Sequence, residues 1–182
     1  MSEKNCGELE MDRTARSEET SLYRFPCGDW EWKQVGESLR ERMNGLGMHR
    51  FHKKALEIRA AIEWLDPIME RYCGETCPSC QDPCCNGRNV FYNRTDLITL
   101  LACGEPLPPG QTRKTADEAC RYLRSSGCSL SRTRRPYVCV WFLCEPQMVL
   151  FQGESARLQR QIVRVLGKIR ENRLLLESLL DG

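Results

Sequence analysis

Apolar residues recur at alternating intervals of four and three along two stretches of the chain, which is the pattern of one buried helix face. The first stripe follows a break at 44–47 within a predicted helical segment from about Val35 to Tyr72, and consists of Phe51, Ala55, Ile58, Ile62, Leu65, Met69 and Tyr72. The second lies in a predicted helix from about Glu154 to Leu180, and consists of Leu158, Ile162, Val165, Ile169, Asn172, Leu176 and Leu179. We expect two long helices that pack antiparallel and bury each other's stripes.

Two residues interrupt these stripes. Pro67 lies inside the first, so the pattern predicts a kink there, or a restart of the helix with Asp66 as its cap. Asn172 places an amide in the second, as polar residues that fix the register of paired helices do. An alternative is that the C-terminal helix pairs with another protein chain. Three heptads make a short independent coiled coil, so pairing within the chain is favoured.

The segment between the two helices has short elements and loops. A short helix is predicted at Asp96–Ala102, with Thr95 as N-cap and Gly104 just past its end. A Pro/Gly-rich loop follows, and then a second short helix after Thr115, which forms a capping box with Glu118. The run "RRPYVCVWFLCEP" is apolar and is expected to be buried.

These elements predict a mainly α fold, in which an antiparallel pair of long helices flanks a compact cysteine-rich metal-binding domain of short helices and loops. The predicted order is a disordered N-terminal arm, an N-terminal helical segment, the cysteine-cluster domain and a C-terminal helix, at 1–32, 33–72, 73–146 and 147–182. Trp30 and Trp32 are expected to hold the end of the arm against the body.

Composition adds one outlier, the cysteine count. Charged residues make up 29% of the 182 residues, but the net charge is only +2, which gives no general attraction to nucleic acid or to an acidic membrane. The N-terminus has no apolar signal region and no apolar run reaches membrane-spanning length, so we expect a cytoplasmic protein with no membrane partner. In that compartment thiols stay reduced, and the clustering of most of the twelve cysteines indicates metal or redox chemistry more than disulfides.

Eight cysteines fall into two blocks. The first block, spaced C-x2-C-x3-C-C, consists of Cys77, Cys80, Cys84 and Cys85. The second lies about forty residues further on, and consists of Cys120, Cys128, Cys139 and Cys144. A gap of two residues lets one tight turn aim both sulfurs at a point about 2.3 Å from a zinc ion. The second block would close the site through tertiary folding.

The adjacent pair Cys84–Cys85 bears on how many metals are bound. Neighbouring side chains of an extended chain point to opposite faces, so two adjacent thiolates do not easily reach one ion. They serve two ions, or different corners of a polynuclear cluster, more naturally. We therefore expect a binuclear or cluster-type centre, or two sites that share a backbone hinge.

The motifs "CPSCQDPCC", "ACRYLRSSGCSL" and "RRPYVCVWFLC" together resemble the cysteine-cluster family named for its CxxCxxCC motif. These YkgJ-like proteins are described as zinc- or iron-chelating, and flagellin lysine N-methylases carry a related domain. The resemblance covers about residues 73–146. It implies that the metal ligands are Cys77, Cys80, Cys84, Cys85, Cys120, Cys128, Cys139 and Cys144.

Two departures from the family pattern concern the centre. One extra residue stands between Cys80 and Cys84, which is a loop change. Val140 occupies the position after the seventh cysteine, where the family has an arginine. The missing arginine removes a charge that would pair with the anionic thiolates, so a function that depends on it is in doubt.

The sequence thus favours an intracellular metal-binding protein that holds Zn2+ or an iron–sulfur cluster, two cofactors that thiolates suit equally. One alternative, implied by the resemblance, is an enzyme domain related to flagellin-type lysine methyltransferases, although no methyl-donor motif is evident. Another is a helical interaction module with a structural metal centre. The spacing Cys73-x3-Cys77-x2-Cys80 also matches radical S-adenosylmethionine enzymes, but the βα alternation of their barrels is missing.

A nucleic-acid-binding module is the last alternative. It would use a basic run that consists of Arg121, Arg124, Arg132, Arg134 and Arg135. We favour another interpretation, in which these arginines balance the negative charge of metal-bound thiolates. His49 and His52 are expected to form an exposed pair, and Cys103 is expected in the core.

Overall fold

A computed structural model describes residues 29–86, 90–110, 118–125 and 127–182. Its α-helices are α1 (Asp29–Leu46), α2 (His49–Thr76), α3 (Arg94–Ala102), α4 (Val138–Trp141), α5 (Glu145–Gly153) and α6 (Ala156–Asp181). Two 3-10 turns lie at Cys77–Ser79 and Arg132–Arg134, and the short strands β1 (Leu123–Arg124) and β2 (Gly127–Cys128) pair antiparallel. The prediction of a mainly α fold is therefore confirmed.

The two long helices α2 and α6 pack against each other within the chain, and they run antiparallel as predicted. Tyr72 near the end of α2 donates a hydrogen bond to Glu154, which precedes α6, at 3.2 Å. Further along, Glu57 of α2 lies near Asn172 of α6. Every residue of the first stripe is buried. The second stripe is buried at Ile162, Ile169, Asn172 and Leu176, whereas Leu180 replaces the half-buried Leu179 at its end.

Helix α1 begins inside the segment that was assigned to the N-terminal arm. Trp32 explains why, because its side chain is only 9% exposed, donates to the carbonyl of Pro108 at 2.8 Å and packs on the ring of Tyr92. Trp30 is 69% exposed, so its side chain is not buried against the body of the protein. The rest of the predicted arm, 1–28, lies outside the described residues. Gly47, with φ of +90°, separates α1 from α2 at the predicted break.

Helix α2 continues through Pro67, so the predicted restart is wrong. The proline removes one backbone hydrogen bond at a cost of about 3 kcal/mol. Leu65 and Met69 on either side are buried in the core, and full burial of such side chains contributes about 1.5–3 kcal/mol each. Asp66 caps nothing, and its carboxylate instead accepts a hydrogen bond from Arg132 Nε at 3.1 Å.

Helix α3 is capped by Asn93, and the prediction of Thr95 as cap is wrong. The side chain of Asn93 accepts from the backbone N–H of Asp96 at 3.0 Å, and the carboxylate of Asp96 accepts from the N–H of Asn93 at 2.9 Å. This reciprocal pair satisfies two free donors and starts the helix earlier. Thr95 lies in the first turn, where its hydroxyl bonds Glu177 of α6. Gly104, with φ of +73°, follows the helix end as predicted.

Two predictions for the cysteine-rich segment are wrong. Residues 118–125 form a bend, a turn and strand β1 instead of a second short helix, and Thr115 lies outside the described residues. The run before α5 is not uniformly buried, because Trp141 and Phe142 are exposed while Val140 is fully buried. Helix α4 has only four residues, and of these Val140 is buried in the core. No helix among the described residues combines the length and the apolarity needed to cross a membrane.

Candidate metal centre

The two cysteine blocks meet beside the C-terminal end of α2. The backbone N–H of Cys120 donates to the carbonyl of Cys85 at 2.8 Å, and Asn86 forms a β-bridge with Ala119. The hairpin of β1 and β2 then places Cys128 opposite Leu123. Tertiary folding therefore brings the second block next to the first, as the spacing predicts. None of the ten described cysteines forms a disulfide bond.

Four of these thiols form an inner group, which consists of Cys85, Cys120, Cys128 and Cys139. Cys120 is buried, and the thiols of this group are close enough to influence one another. Burial raises the pKa of Cys139 to about 12, and the neighbouring thiols of Cys120 and Cys128 add to the effect. The pKa of Cys85 rises well above its usual range, mainly through its interaction with Cys84 and through burial.

Cys84 and Cys85 do not point to opposite faces. Their thiols interact directly, and the hydrogen bond from Cys85 lowers the pKa of Cys84 to about 7. The expectation that these two adjacent side chains point to opposite faces is therefore wrong, because the chain bends here instead of running as an extended strand. The bend is closed by the backbone N–H of Asn86, which donates to the carbonyl of Cys84 at 3.0 Å.

An outer group lies where α2 ends and α5 begins. The side-chain amide of Gln147, which is 5% exposed, donates to the sulfurs of Cys73 at 3.6 Å and Cys77 at 3.8 Å. Its oxygen accepts from the backbone N–H of Cys144 at 3.4 Å. Cys73 stands outside the eight predicted ligands. The four-residue interval to Cys77 places both on one helix face because α2 continues to Thr76, past its predicted end at Tyr72.

Arg132 enters the cysteine region as a buried cation. Its side chain is only 2% exposed and donates to Asp66, to Glu70, to the carbonyl of Cys139 at 2.9 Å and to the sulfur of Cys73 at 3.7 Å. Arg135 donates to the same Glu70 carboxylate at 2.8 Å. Two members of the predicted basic run are therefore directed inward and paired with carboxylates, so they are not part of an exposed phosphate-binding surface.

The cysteine sulfurs are chemically suited to bind a metal, but their side chains do not surround one common point. Thiolates are the ligands of structural zinc and of iron–sulfur clusters. Within the described ranges, however, no three side chains of cysteine, histidine, aspartate or glutamate surround one point closely enough to hold an ion. Cys77 and Cys80 are exposed, and a change of χ1 rotamer moves a sulfur without moving the backbone. Metal binding would therefore draw the side chains together within this scaffold.

The remaining candidates lie outside this region. Cys103 is half-buried against the core, and burial raises the pKa of its thiol. His49 and His52 are both exposed, as predicted, and the Nδ1 atom of His52 lies 2.9 Å from the carbonyl oxygen of Ala102.

No family model, curated protein or solved structure matches the chain. The resemblance to the YkgJ-like proteins therefore rests on the three quoted cysteine motifs.

Proposed function

We propose that the chain is a metal-binding protein of the reducing cytoplasm, whose cysteine centre holds zinc or an iron–sulfur cluster. The proposed ligands are Cys77, Cys80, Cys84, Cys85, Cys120, Cys128, Cys139 and Cys144. The supporting observation is the junction of the two blocks, where Cys120 N–H bonds the Cys85 carbonyl at 2.8 Å. When bound, the metal would cross-link segments that are far apart in sequence and contribute folding free energy there.

The electrostatics of the region support the same proposal. Several thiolates on one or two metals leave a net negative centre, which needs a nearby cation. Val140, where the resembling family has an arginine, is buried and supplies none. Arg132 lies seven residues before Cys139, donates to its carbonyl and also reaches the sulfur of Cys73. Its guanidinium therefore brings N–H donors to the centre from another position in the chain, while its charge is shared with Asp66 and Glu70.

Elemental analysis and a visible absorption spectrum of the anaerobically purified full chain test this function. Zinc in colourless protein would identify zinc thiolate sites, and iron with acid-labile sulfide in brown protein would identify a cluster. Cys120→Ser should reduce the metal content, because Cys120 is buried in the inner group. Cys103→Ser is the matched control and should keep the wild-type content. A wild-type chain that contains neither metal and binds neither on anaerobic reconstitution would refute the proposal.

A further inference from the structure

We propose that Cys73 is a ninth metal-binding thiol, which acts with Cys77 and Cys144 at an outer subsite of the centre. This inference rests on the proposed function and assigns a residue that the eight-cysteine pattern leaves out. The ligand class is a soft divalent ion such as Zn2+, for which thiolate sulfur is a preferred donor.

The position of Cys73 on α2 is the first observation that supports the outer subsite. Cys73 and Cys77 are four residues apart at the end of the helix, so their side chains lie one above the other on the same face. Their thiols interact directly. Two sulfurs that approach each other from adjacent turns supply half of a tetrahedral site.

The contacts of Gln147 are the second supporting observation, because they connect Cys73 and Cys77 to the third cysteine, Cys144. Its buried amide nitrogen donates to both sulfurs of α2, and its oxygen holds the backbone N–H of Cys144 at the start of α5. One side chain thus faces three cysteines from two segments. Residues that hydrogen-bond metal ligands in this way orient them for the ion.

The contact of Arg132 with Cys73 is the third supporting observation. Its guanidinium donates to the sulfur of Cys73 at 3.7 Å, so this sulfur receives N–H donors from two buried side chains, Arg132 and Gln147. Buried side chains that donate to a metal-binding atom fix its position for the ion, so the surroundings of Cys73 are suited to a ligand.

The outer subsite also explains how the adjacent pair of cysteines is used. Cys84 and Cys77 are close enough for their thiols to influence each other, so we assign Cys84 to the outer group as its fourth thiol. Cys85 then remains with Cys120, Cys128 and Cys139, which makes an inner group of four. Each group offers the four ligands that tetrahedral zinc requires, and the exposed Cys80, three residues after Cys77, completes the nine thiols on the outer side.

Metal-dependent alkylation of the unmodified full chain is the first test. The zinc-loaded and the chelator-treated proteins are pulsed with iodoacetamide, and the cysteine peptides are quantified by mass spectrometry. We expect metal to protect Cys73 together with Cys77 and Cys120, and to leave Cys103 unchanged. If metal protects Cys120 but leaves Cys73 as reactive as in the stripped protein, the assignment of Cys73 as a ligand is refuted and the proposed function stands.

Cobalt titration separates ligation from simple shielding. In competition with a chelator, Cys73→Ser should bind one equivalent of Co2+ fewer than wild type and show weaker thiolate-to-cobalt absorption, whereas Cys103→Ser should match wild type. Gln147→Leu keeps every thiol, and should weaken the affinity by about 10–100-fold. Equal stoichiometry and absorption in Cys73→Ser and wild type would overturn the inference. A wild-type chain that binds no Co2+ would refute both the inference and the proposed function.

Discussion

Arg173 of α6 donates a hydrogen bond from Nη1 to the Oδ1 atom of Asp96 in α3 at 2.6 Å, and both side chains are buried. The same Oδ1 atom accepts the backbone N–H of Tyr137 at 3.1 Å, and the guanidinium lies over the ring of Tyr137, 4.3 Å from its centroid. The ion pair thus joins two helices to the residue that precedes α4. Cys139 follows two residues later, so α6 helps to position a predicted ligand.

Removal of this cation should be costly. Arg173→Met is expected to lower the free energy of unfolding by about 3 kcal/mol or more, because Asp96 is left as a buried charge without its partner. Urea denaturation at neutral pH measures the change. The exposed Arg164 on the same helix is the control, since Arg164→Met should stay within about 0.5 kcal/mol of wild type. A cost for Arg173→Met as small as that of the control would contradict a buried pair.

The indole of Trp32 should stabilise the start of α1. Trp32→Phe leaves the carbonyl of Pro108 without its buried donor, and is expected to cost about 1–3 kcal/mol. Trp30→Phe, two residues earlier and largely exposed, should change the unfolding midpoint little. The two variants are compared by thermal and urea denaturation. Similar effects of both would argue against the anchoring role of Trp32.

Asn172 should be replaceable with a gain in stability. Within the described part of the chain, neither polar atom of its fully buried amide meets a partner at hydrogen-bonding geometry. Asn172→Leu is expected to raise the free energy of unfolding by about 1 kcal/mol, since burial of an unsatisfied amide is removed. Size-exclusion chromatography tests the register role, because a polar residue in a helix seam also specifies pairing. Loss of stability without a change in association would show that the amide is satisfied in solution, by water or by the nearby Glu57 carboxylate.

The contact between Glu154 and Arg71 should depend on pH. The hydrogen bond from Arg71 is the main reason that the pKa of Glu154 is lowered in the folded protein. A lowered folded pKa means that the stabilisation is complete above the unfolded value, about 4.3, and is lost as pH falls through the folded value. Glu154→Gln should therefore be slightly less stable than wild type at pH 7. The difference between the unfolding midpoints of the two proteins should shrink as pH falls below the unfolded value, and a difference that stays constant would contradict this.

Metal removal should loosen one part of the molecule and not the rest. The segments 73–86 and 118–145 contain short elements and the proposed ligands, whereas α2 and α6 bury their own apolar stripes. We expect chelation to increase hydrogen exchange in these two segments and to change near-UV circular dichroism. The amides of 51–69 and 158–176 should keep their protection. Unchanged exchange and unchanged circular dichroism after complete metal removal would contradict a structural metal.

The long helices were predictable because helical periodicity is a local property of the sequence. Burial of Ile62 follows from its place in a stripe, and no knowledge of the partner element is needed. Caps are less secure, because several polar residues compete for one position. Asn93 displaces Thr95 as the cap of α3 because Asn93 and Asp96 satisfy two donors together, while Thr95 finds Glu177 on another helix.

The surroundings of the cysteines could not be predicted in the same way. The two blocks were evident from spacing, but Cys73 and Arg132 are 59 residues apart and meet only in the folded chain. The bend at Cys84 likewise depends on hydrogen bonds that the sequence does not announce. Tertiary contacts decide which thiols a cation reaches, so the outer group became visible only with the structure.

The hydrogen bond between Tyr72 and Glu154 closes a loop of 82 residues. We expect a helix pair joined in this way to form late, because the entropy of loop closure opposes folding until the two apolar stripes are in contact. Cross-links inside the loop shorten the chain that must be ordered. A metal bound early to the cysteines would therefore accelerate the docking of α6 on α2, so that metal supply would govern how fast the chain folds as well as how stable it is.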